Sequence, residues 1–217
     1  MLGRGVNAAP SPLLTDLFAY YTLDEASGTA VDSLGSRNLS AFNSPVSTTG
    51  KIGNARAFDA ASSQRLSSVA TDFSISGDFG ISLWWSTTII GDGSPILNIG
   101  DDYNQCDIGH AASGRVTAYL GGLSNSAISS TTLTAGTLRH LVATRIGSSW
   151  RVYVNGVAGT AATNSTTPAS GKLTLGAASF QFGDCVIDEL GFWSRGLTAD
   201  DVSLLFNGGS GRTNPFA

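Results

Sequence analysis

The chain has 217 residues, with 16 acidic and 12 basic side chains and a formal net charge of −4. Charged residues make up 13% of the chain, about half of the ~25% found in typical soluble domains. The negative balance argues against a nucleic-acid-binding surface, and no apolar run is long enough to predict a membrane-spanning helix. The 27 glycines, with abundant Ser and Thr, favour short strands joined by tight turns over a helical bundle.

The two ends of the chain differ in pattern from its middle. Residues 1–14 form a polar, Pro-containing arm that lacks the apolar stretch of a secretion signal. Residues 208–217 form a Gly-rich tail. Between these ends, residues 15–207 are expected to fold as one domain, since all-β sandwiches reach this length as single units.

Residues between Asp16 and Trp193 have the alternating pattern of strands. The alternation is clearest in Phe79–Ser86, which places Phe79, Ile81, Leu83 and Trp85 on one face. The strand Trp150–Val154 runs into Asn155-Gly156, a dipeptide typical of a hairpin turn. Further strands are predicted at Leu17–Tyr21, Ala55–Phe58, Arg65–Val69, Ile96–Ile99, Gln105–Ile108, Val116–Leu120, His140–Ile146, Leu173–Leu175 and Cys185–Trp193.

One short helix is predicted after the last strand. Thr198 is a suitable N-cap, and Asp200 and Asp201 lie in the first turn, where the helix dipole favours negative charge. Asn207-Gly208 gives a stop signal.

Residues able to do chemistry are few. Only two glutamates exist, Glu25 and Glu189, and each follows an aspartate. Because adjacent strand residues point to opposite faces, neither pair is expected to form the carboxyl dyad of a glycosidase. The histidines, His110 and His140, lie in no recognisable catalytic motif and are expected to be surface or hydrogen-bonded structural residues. The sequence therefore predicts a protein that is not an enzyme.

The two cysteines, Cys106 and Cys185, lack metal-site spacing, which argues against zinc. Two alternatives remain open at this point. The low charge favours an extracellular protein with one disulfide, whereas the missing secretion signal favours two buried thiols.

Four stretches of the chain, taken in order, carry a recognisable pattern: Tyr21–Ser33, Gly53–Asp59 followed by Phe79–Trp84, His140–Arg145 followed by Trp150–Gly156, and Val186–Thr198. Together they resemble the laminin-G-like (concanavalin A-like) jelly-roll family. The resemblance implies an all-β, two-sheet antiparallel sandwich. Two departures from the family pattern, Ala60 and Leu138, affect local packing and leave the fold expectation unchanged.

The resemblance implies a structural Ca²⁺ between the opening loop and the last long strand. The matching positions are Asp24, Asp32 and Asp188, whose carboxylate oxygens suit Ca²⁺. The alternative is that Asp24 and Asp32 cap turns, while Asp188 and Glu189 pair with Arg195 or Arg56.

The resemblance also implies a candidate carbohydrate site, because lectins of this fold combine an aromatic platform with amides and carboxylates. The loop residues with this composition are Asp101, Asp102, Tyr103, Asn104 and Gln105. Trp84 is a second aromatic candidate if it lies on the concave sheet, but most aromatic residues are expected to fill the core rather than to form a platform.

The resemblance does not by itself define the function, since the fold hosts lectins, glycanases, adhesion modules and phage proteins. We expect a non-enzymatic structural or adhesion module of a phage virion, either capsid decoration or tail-associated. It would dock through its termini onto other virion or surface proteins as part of an oligomer or larger assembly. The alternative is a free, extracellular or cell-surface lectin that binds glycans, with Ca²⁺ as an accessory ion.

Overall fold

The computed structural model describes residues 11–35, 37–91, 93–100, 105–122 and 126–216. These residues form eighteen strands, one α-helix and two short 3-10 turns. The strands are β1 (Leu17–Tyr21), β2 (Leu39–Phe42), β3 (Val46–Thr49), β4 (Asn54–Phe58), β5 (Arg65–Ser68), β6 (Phe79–Thr87), β7 (Pro95–Ile99), β8 (Cys106–His110), β9 (Val116–Leu120), β10 (Ser126–Ile128), β11 (Arg139–Ile146), β12 (Ser149–Val154), β13 (Val157–Ala158), β14 (Ala162–Thr163), β15 (Leu173–Leu175), β16 (Ala177–Ala178), β17 (Gln181–Phe182) and β18 (Cys185–Trp193). The helix α1 is Ala199–Phe206, and the 3-10 turns are Pro12–Leu14 and Asn207–Gly209.

The strands form two large antiparallel sheets, which confirms the predicted sandwich. The nine-stranded sheet has the order β13-β12-β11-β6-β18-β4-β3, with β1 also paired to β18 and β14 to β12. The seven-stranded sheet has the order β10-β9-β8-β7-β15-β5-β2. A separate two-stranded hairpin, β16–β17, follows β15 in the chain.

The main core lies between the two sheets. The predicted apolar face of β6 points into this core, and all four of its residues belong to the core cluster. Trp150 crosses this layer, and its indole N–H donates to the carbonyl oxygen of Ala118 in the opposite sheet at 3.1 Å. Buried indole N–H groups usually find such a partner.

A second apolar cluster covers the outer face of the nine-stranded sheet. It joins Leu13 of the first 3-10 turn, Val202 and Leu205 of α1, and Phe216 near the C-terminus. The indole N–H of Trp193 donates to the Leu13 carbonyl oxygen at 2.7 Å. The described parts of the expected arm and tail thus pack on the sandwich itself.

The predicted helix and hairpin are both confirmed. Thr198 caps α1 in a capping box with Asp201, and Asn207 ends it in the left-handed conformation. Asn155 and Gly156 both have positive φ, 51° and 79°, as a tight hairpin turn requires, and β13 returns antiparallel to β12.

Candidate functional site

One polar residue from each strand forms a continuous row across the outer face of the seven-stranded sheet. Neighbours in this row are direct register partners, and the residues beside them, such as Leu97 and Ile99, belong to the core. Alternation therefore turns the row away from the core. We call it the polar row, and its members are Ser126, Tyr119, Asp107, Asn98, Thr174, Ser67 and Ser40.

Two open cavities lie along the polar row. The first, of about 530 Å³, contains Ser67, Thr174 and Asn98 of the row. The second, of about 270 Å³, contains Asp107 and Tyr119. The β16–β17 hairpin contributes wall residues to both cavities, so it lies over the same face of the sheet.

Two residues that line the second cavity, Asp107 and Thr117, carry polar atoms with unused hydrogen-bonding capacity. Asp107 Oδ1 and Thr117 Oγ1 are buried and have no hydrogen-bond partner among the described residues. Burial raises the pKa of the Asp107 carboxyl to about 7, although the backbone N–H of Ile108 lowers it. Buried polar groups are normally paired, so this cavity offers acceptors to a ligand that carries hydroxyl groups.

The side chains near the row in the first cavity are already ordered. The Ser67 and Thr174 hydroxyls lie 2.9 Å apart, and the Asn98 amide donates to the Cys106 carbonyl oxygen at 3.1 Å. On the rim, the ring of Phe180 is 97% exposed. The cavity thus combines fixed polar groups with an accessible aromatic face, as ligand sites often do.

Most of the predicted carbohydrate loop lies outside the described residues. Asp101, Asp102, Tyr103 and Asn104 lie outside the described residues. Gln105 packs against Gly100, which lines the first cavity. Sequence reasoning missed Asn98, Asp107 and Thr117. Each lies within a predicted strand and directly beside an apolar residue, and this alternation was a signal that its side chain points away from the core.

The three predicted calcium ligands do not converge on one point. Asp24 Oδ1 accepts from the N–H of Asn54 at 2.7 Å, and Asp188 Oδ2 accepts from the N–H of Lys51 at 2.6 Å, so both hold the β3–β4 turn. Asp32 holds a different turn, accepting at 3.1 Å from the N–H of Leu34. Within the described ranges, no group of three or more His, Cys, Asp or Glu side chains is placed to hold a metal. Calcium binding stays a prediction from the resemblance.

A β-bulge in β18 corrects the expectation that Asp188 and Glu189 point to opposite faces. The register between β18 and β6 shifts between Asp188 and Gly191, and Glu189 has φ +50°. The extra residue turns both carboxyls to the outer face, where Glu189 accepts a hydrogen bond from the Tyr20 hydroxyl. The pairing with arginines also differs from expectation, since Arg195 binds Asp201 at 2.7 Å and Arg56 lies 3.5 Å from Glu25.

Burial governs the protonation of these two acids. It raises the pKa of Asp188 to about 6, and the charge of Asp24 adds a smaller contribution. It raises the pKa of Glu189 to about 7, assisted by the charge of Asp188. Asp188 is 0% exposed and Glu189 is 4% exposed, so the pair is closed to a substrate.

Trp84 and His140 are structural. Trp84 lies in β6 of the nine-stranded sheet, is buried and stacks on Phe206 of α1, so it packs, as expected for most of the aromatic residues, and offers no open platform. His140 is buried and hydrogen-bonded to Ser82 at 2.8 Å, as expected for a structural histidine. His110 ends strand β8 and is buried.

The two cysteines are free and buried. Cys106 lies in the seven-stranded sheet and Cys185 in the nine-stranded sheet. Burial raises the pKa of both thiols, that of Cys185 to about 12. Since the thiolate is the reactive form, neither thiol is placed for chemistry.

Comparison with protein families agrees with the architecture. Residues 59–203 match the model of the concanavalin A-like lectin/glucanases superfamily. Because the match spans more than half of the chain, the protein belongs to this superfamily. No curated protein matches the sequence.

Solved structures share the fold at low sequence identity. Domain 4 of AbnA, a GH43 extracellular arabinanase from Geobacillus stearothermophilus in complex with arabinotriose, has a TM-score of 0.69 and 21% identity over 87% of this chain and 97% of that domain. The binding domain of Paraclostridial Mosquitocidal Protein 1 has a TM-score of 0.71 and 16% identity, over 88% of this chain and 51% of that one. Trypanosoma rangeli sialidase in complex with the inhibitor DANA has a TM-score of 0.70 and 13% identity, over 88% and 32%. The present chain thus spans about half of the second protein and a third of the third.

The chain has the jelly-roll fold of lectin-type and carbohydrate-binding domains. Among the residues that the structure describes, no helix is both long and apolar enough to span a bilayer.

Proposed function

We propose that the protein is a non-catalytic carbohydrate-binding module whose glycan lies along the polar row. The observation that carries the proposal is the pair of buried, unpartnered acceptors, Asp107 Oδ1 and Thr117 Oγ1, at the second cavity. A buried acceptor without a partner is costly, and sugar hydroxyls supply donors. Tyr119, beside Asp107 in the row, offers a half-buried ring for the sugar's C–H face.

The composition of the site supports binding rather than hydrolysis. Among the described residues that line the two cavities, Asp107 is the only one with a carboxyl group. Glycoside hydrolysis typically uses two carboxyls that flank the scissile bond. The other acids described above either hold turns or are closed off beneath the chain ends.

The fold relationship adds support of a general kind. Domain 4 of AbnA was solved with arabinotriose, and its match to the present chain covers 97% of that domain. Since fold alone does not fix function, the proposal depends on the cavity atoms.

The test is a glycan array followed by titration calorimetry on the strongest glycan. Thr117→Val removes the hydroxyl at nearly constant volume, and Asp107→Ala removes the carboxyl. Each is expected to weaken binding by about three- to tenfold, the value of one or two hydrogen bonds. The matched control is Thr48→Val in β3 of the other sheet, which should leave binding unchanged. A wild type that binds no glycan, or binding that neither variant weakens, would overturn the proposal.

A second candidate is a structural role in a phage virion, as capsid decoration or tail component. It is favoured by large apolar side chains left at the surface, Phe180 at 97% and Val69 at 79% exposure, because such residues mark contact surfaces when they cluster. The test deletes residues 1–10 and keeps Leu13, which the second apolar cluster needs. Loss of particle attachment by a folded variant is expected, and normal attachment would refute docking through the N-terminal arm.

A further inference from the structure

The described lining of the first cavity has a charge opposite to that of the whole protein. Its charged lining residues among those described are Arg65 and Lys172, both cationic, in a chain whose formal net charge is −4 and which has two lysines. Neither cation has an ion-pair partner among the described residues. Clefts lined by one sign of charge concentrate ligands of the opposite sign.

The strand register places the two cations at opposite ends of the cavity. Arg65 precedes Ser67 by two residues in β5, and Lys172, directly before β15, precedes Thr174 by two residues. Ser67 and Thr174 are register partners in an antiparallel pair, so the cations flank the hydroxyl pair from opposite sides. Four residue steps correspond to about 13 Å along the strands.

The walls of the cavity strengthen this arrangement. The Arg65 guanidinium lies over the Phe42 ring, 4.2 Å from its centroid, which fixes its position by a cation–π contact. Phe180 and Val69, both strongly exposed, add apolar surface to the rim. A charged group held against an apolar wall is screened less by water than one on an open surface.

We infer that the first cavity binds an anionic glycan, a sugar that carries carboxylate or sulfate groups, with Arg65 and Lys172 as its charge partners and the Ser67 and Thr174 hydroxyls between them. This inference rests on the proposed function and names the ligand class of the same surface. The guanidinium pairs with a planar oxyanion in a bidentate way, and the lysine acts as a point charge.

The test uses pairs of polymers that differ only in charge. Polygalacturonate is compared with its carboxyl-reduced form, and dextran sulfate with dextran, at low and high NaCl. We expect at least about a tenfold preference for one anionic member, equivalent to about 1.4 kcal/mol, and a loss of this preference at high salt. The two pairs distinguish carboxylate from sulfate recognition.

Variants assign the preference to the two cations. Arg65→Gln and Lys172→Gln should each reduce the anionic preference severalfold, and Lys172→Arg should retain it. Arg151→Gln, on the opposite sheet, changes the net charge by the same amount and should leave the preference intact. Melting temperatures of all variants check that the fold is kept.

The outcomes separate this inference from the proposed function. Equal binding of charged and neutral polymers, weakened by Thr117→Val, would overturn the inference and keep the proposed function. Anionic preference that survives both glutamine substitutions would also overturn it. A wild type that binds none of the polymers and no glycan on the array would overturn both.

Discussion

Several single residues owe their properties to burial on the outer face of the nine-stranded sheet. Glu189 is the clearest example, because the β-bulge turns it beneath Tyr20 and beside Asp188. Its raised pKa, about 7, means that the folded state binds a proton that the unfolded chain releases at lower pH. A carboxyl of this kind links stability to pH with the opposite sign from a salt-bridged acid.

The sign of this link between pH and stability gives the first prediction. The contribution of Glu189 to stability is fully present below its ordinary pKa of about 4.5 and is lost as the pH rises through about 7. Glu189→Gln is neutral at every pH and keeps an oxygen that can accept from the Tyr20 hydroxyl. We expect the variant to melt a few degrees above the wild type at pH 8, with a difference that shrinks toward zero at pH 4. A difference that is constant, or larger in acid, would contradict this assignment.

The cysteines give the second prediction. Because Cys106 and Cys185 are buried, free and poorly ionised, the native protein should not react with a thiol reagent at pH 8 on the scale of minutes. The denatured protein, prepared without reductant, should show two thiols per chain. Finding none after denaturation would instead establish a disulfide.

At the scale of elements, the helix α1 depends on its first turn. Asp201 closes the capping box with Thr198 and receives two hydrogen bonds from the Arg195 guanidinium, at 2.7 and 3.1 Å. The Arg195 charge and these hydrogen bonds keep the pKa of Asp201 below its usual value despite burial. The helix is thereby anchored to the end of β18 and to the Thr15 carbonyl, which Arg195 also contacts.

The third prediction concerns this cap. Thr198→Ala removes the hydroxyl that accepts from the Asp201 N–H, and should lower the free energy of unfolding by about 1 kcal/mol. Thr198→Ser keeps the hydroxyl and should lose far less. Denaturant unfolding of the two variants gives the comparison, and equal losses would show that the methyl group, rather than the cap, is what matters.

Elements with a strong local signal were predictable from the sequence. Four strands, β1, β9, β15 and β18, have the predicted bounds, and α1 begins after the predicted cap. Strands β2 and β3 gave no signal, because Leu39–Phe42 and Val46–Thr49 are short and mix small polar residues with few apolar ones. Such strands form because a neighbour supplies their hydrogen-bond partners.

The site was less predictable than the fold for a related reason. Alternation alone places Asn98 and Asp107 on an outer face, but the row exists only through register with β15 and β9. The pairing of β7 with β15 joins distant parts of the chain and has no local sequence signal. The bulge at Glu189 is similar, since one extra residue reverses the face that simple alternation assigns.

At the scale of the whole molecule, the two described ends of the chain close one side of the sandwich. Leu13 and Phe216 are 0% and 2% exposed, and the Phe216 ring meets the Tyr20 ring edge-on, 5.3 Å between centroids. The ends therefore contribute to stability, while the polar row on the opposite sheet stays outside this cluster.

The fourth prediction compares two phenylalanines. Phe216→Ala should lower the free energy of unfolding by about 3 kcal/mol or more, as for other buried Phe→Ala changes. Phe180→Ala, the matched control, removes a side chain that is 97% exposed and should change stability by less than about 0.5 kcal/mol. Equal unfolding midpoints for the two variants would show that the C-terminal segment does not support the sandwich.

The polar row has one further consequence. Each of the seven strands supplies one side chain, and the strands come from residues 39 to 175, so no short fragment of the chain carries the whole row. A polymer bound along the row would contact all seven strands at once and would hold neighbouring strands together. If a glycan lies along the row as proposed, its binding should stabilise the whole sheet against global unfolding rather than order only a loop.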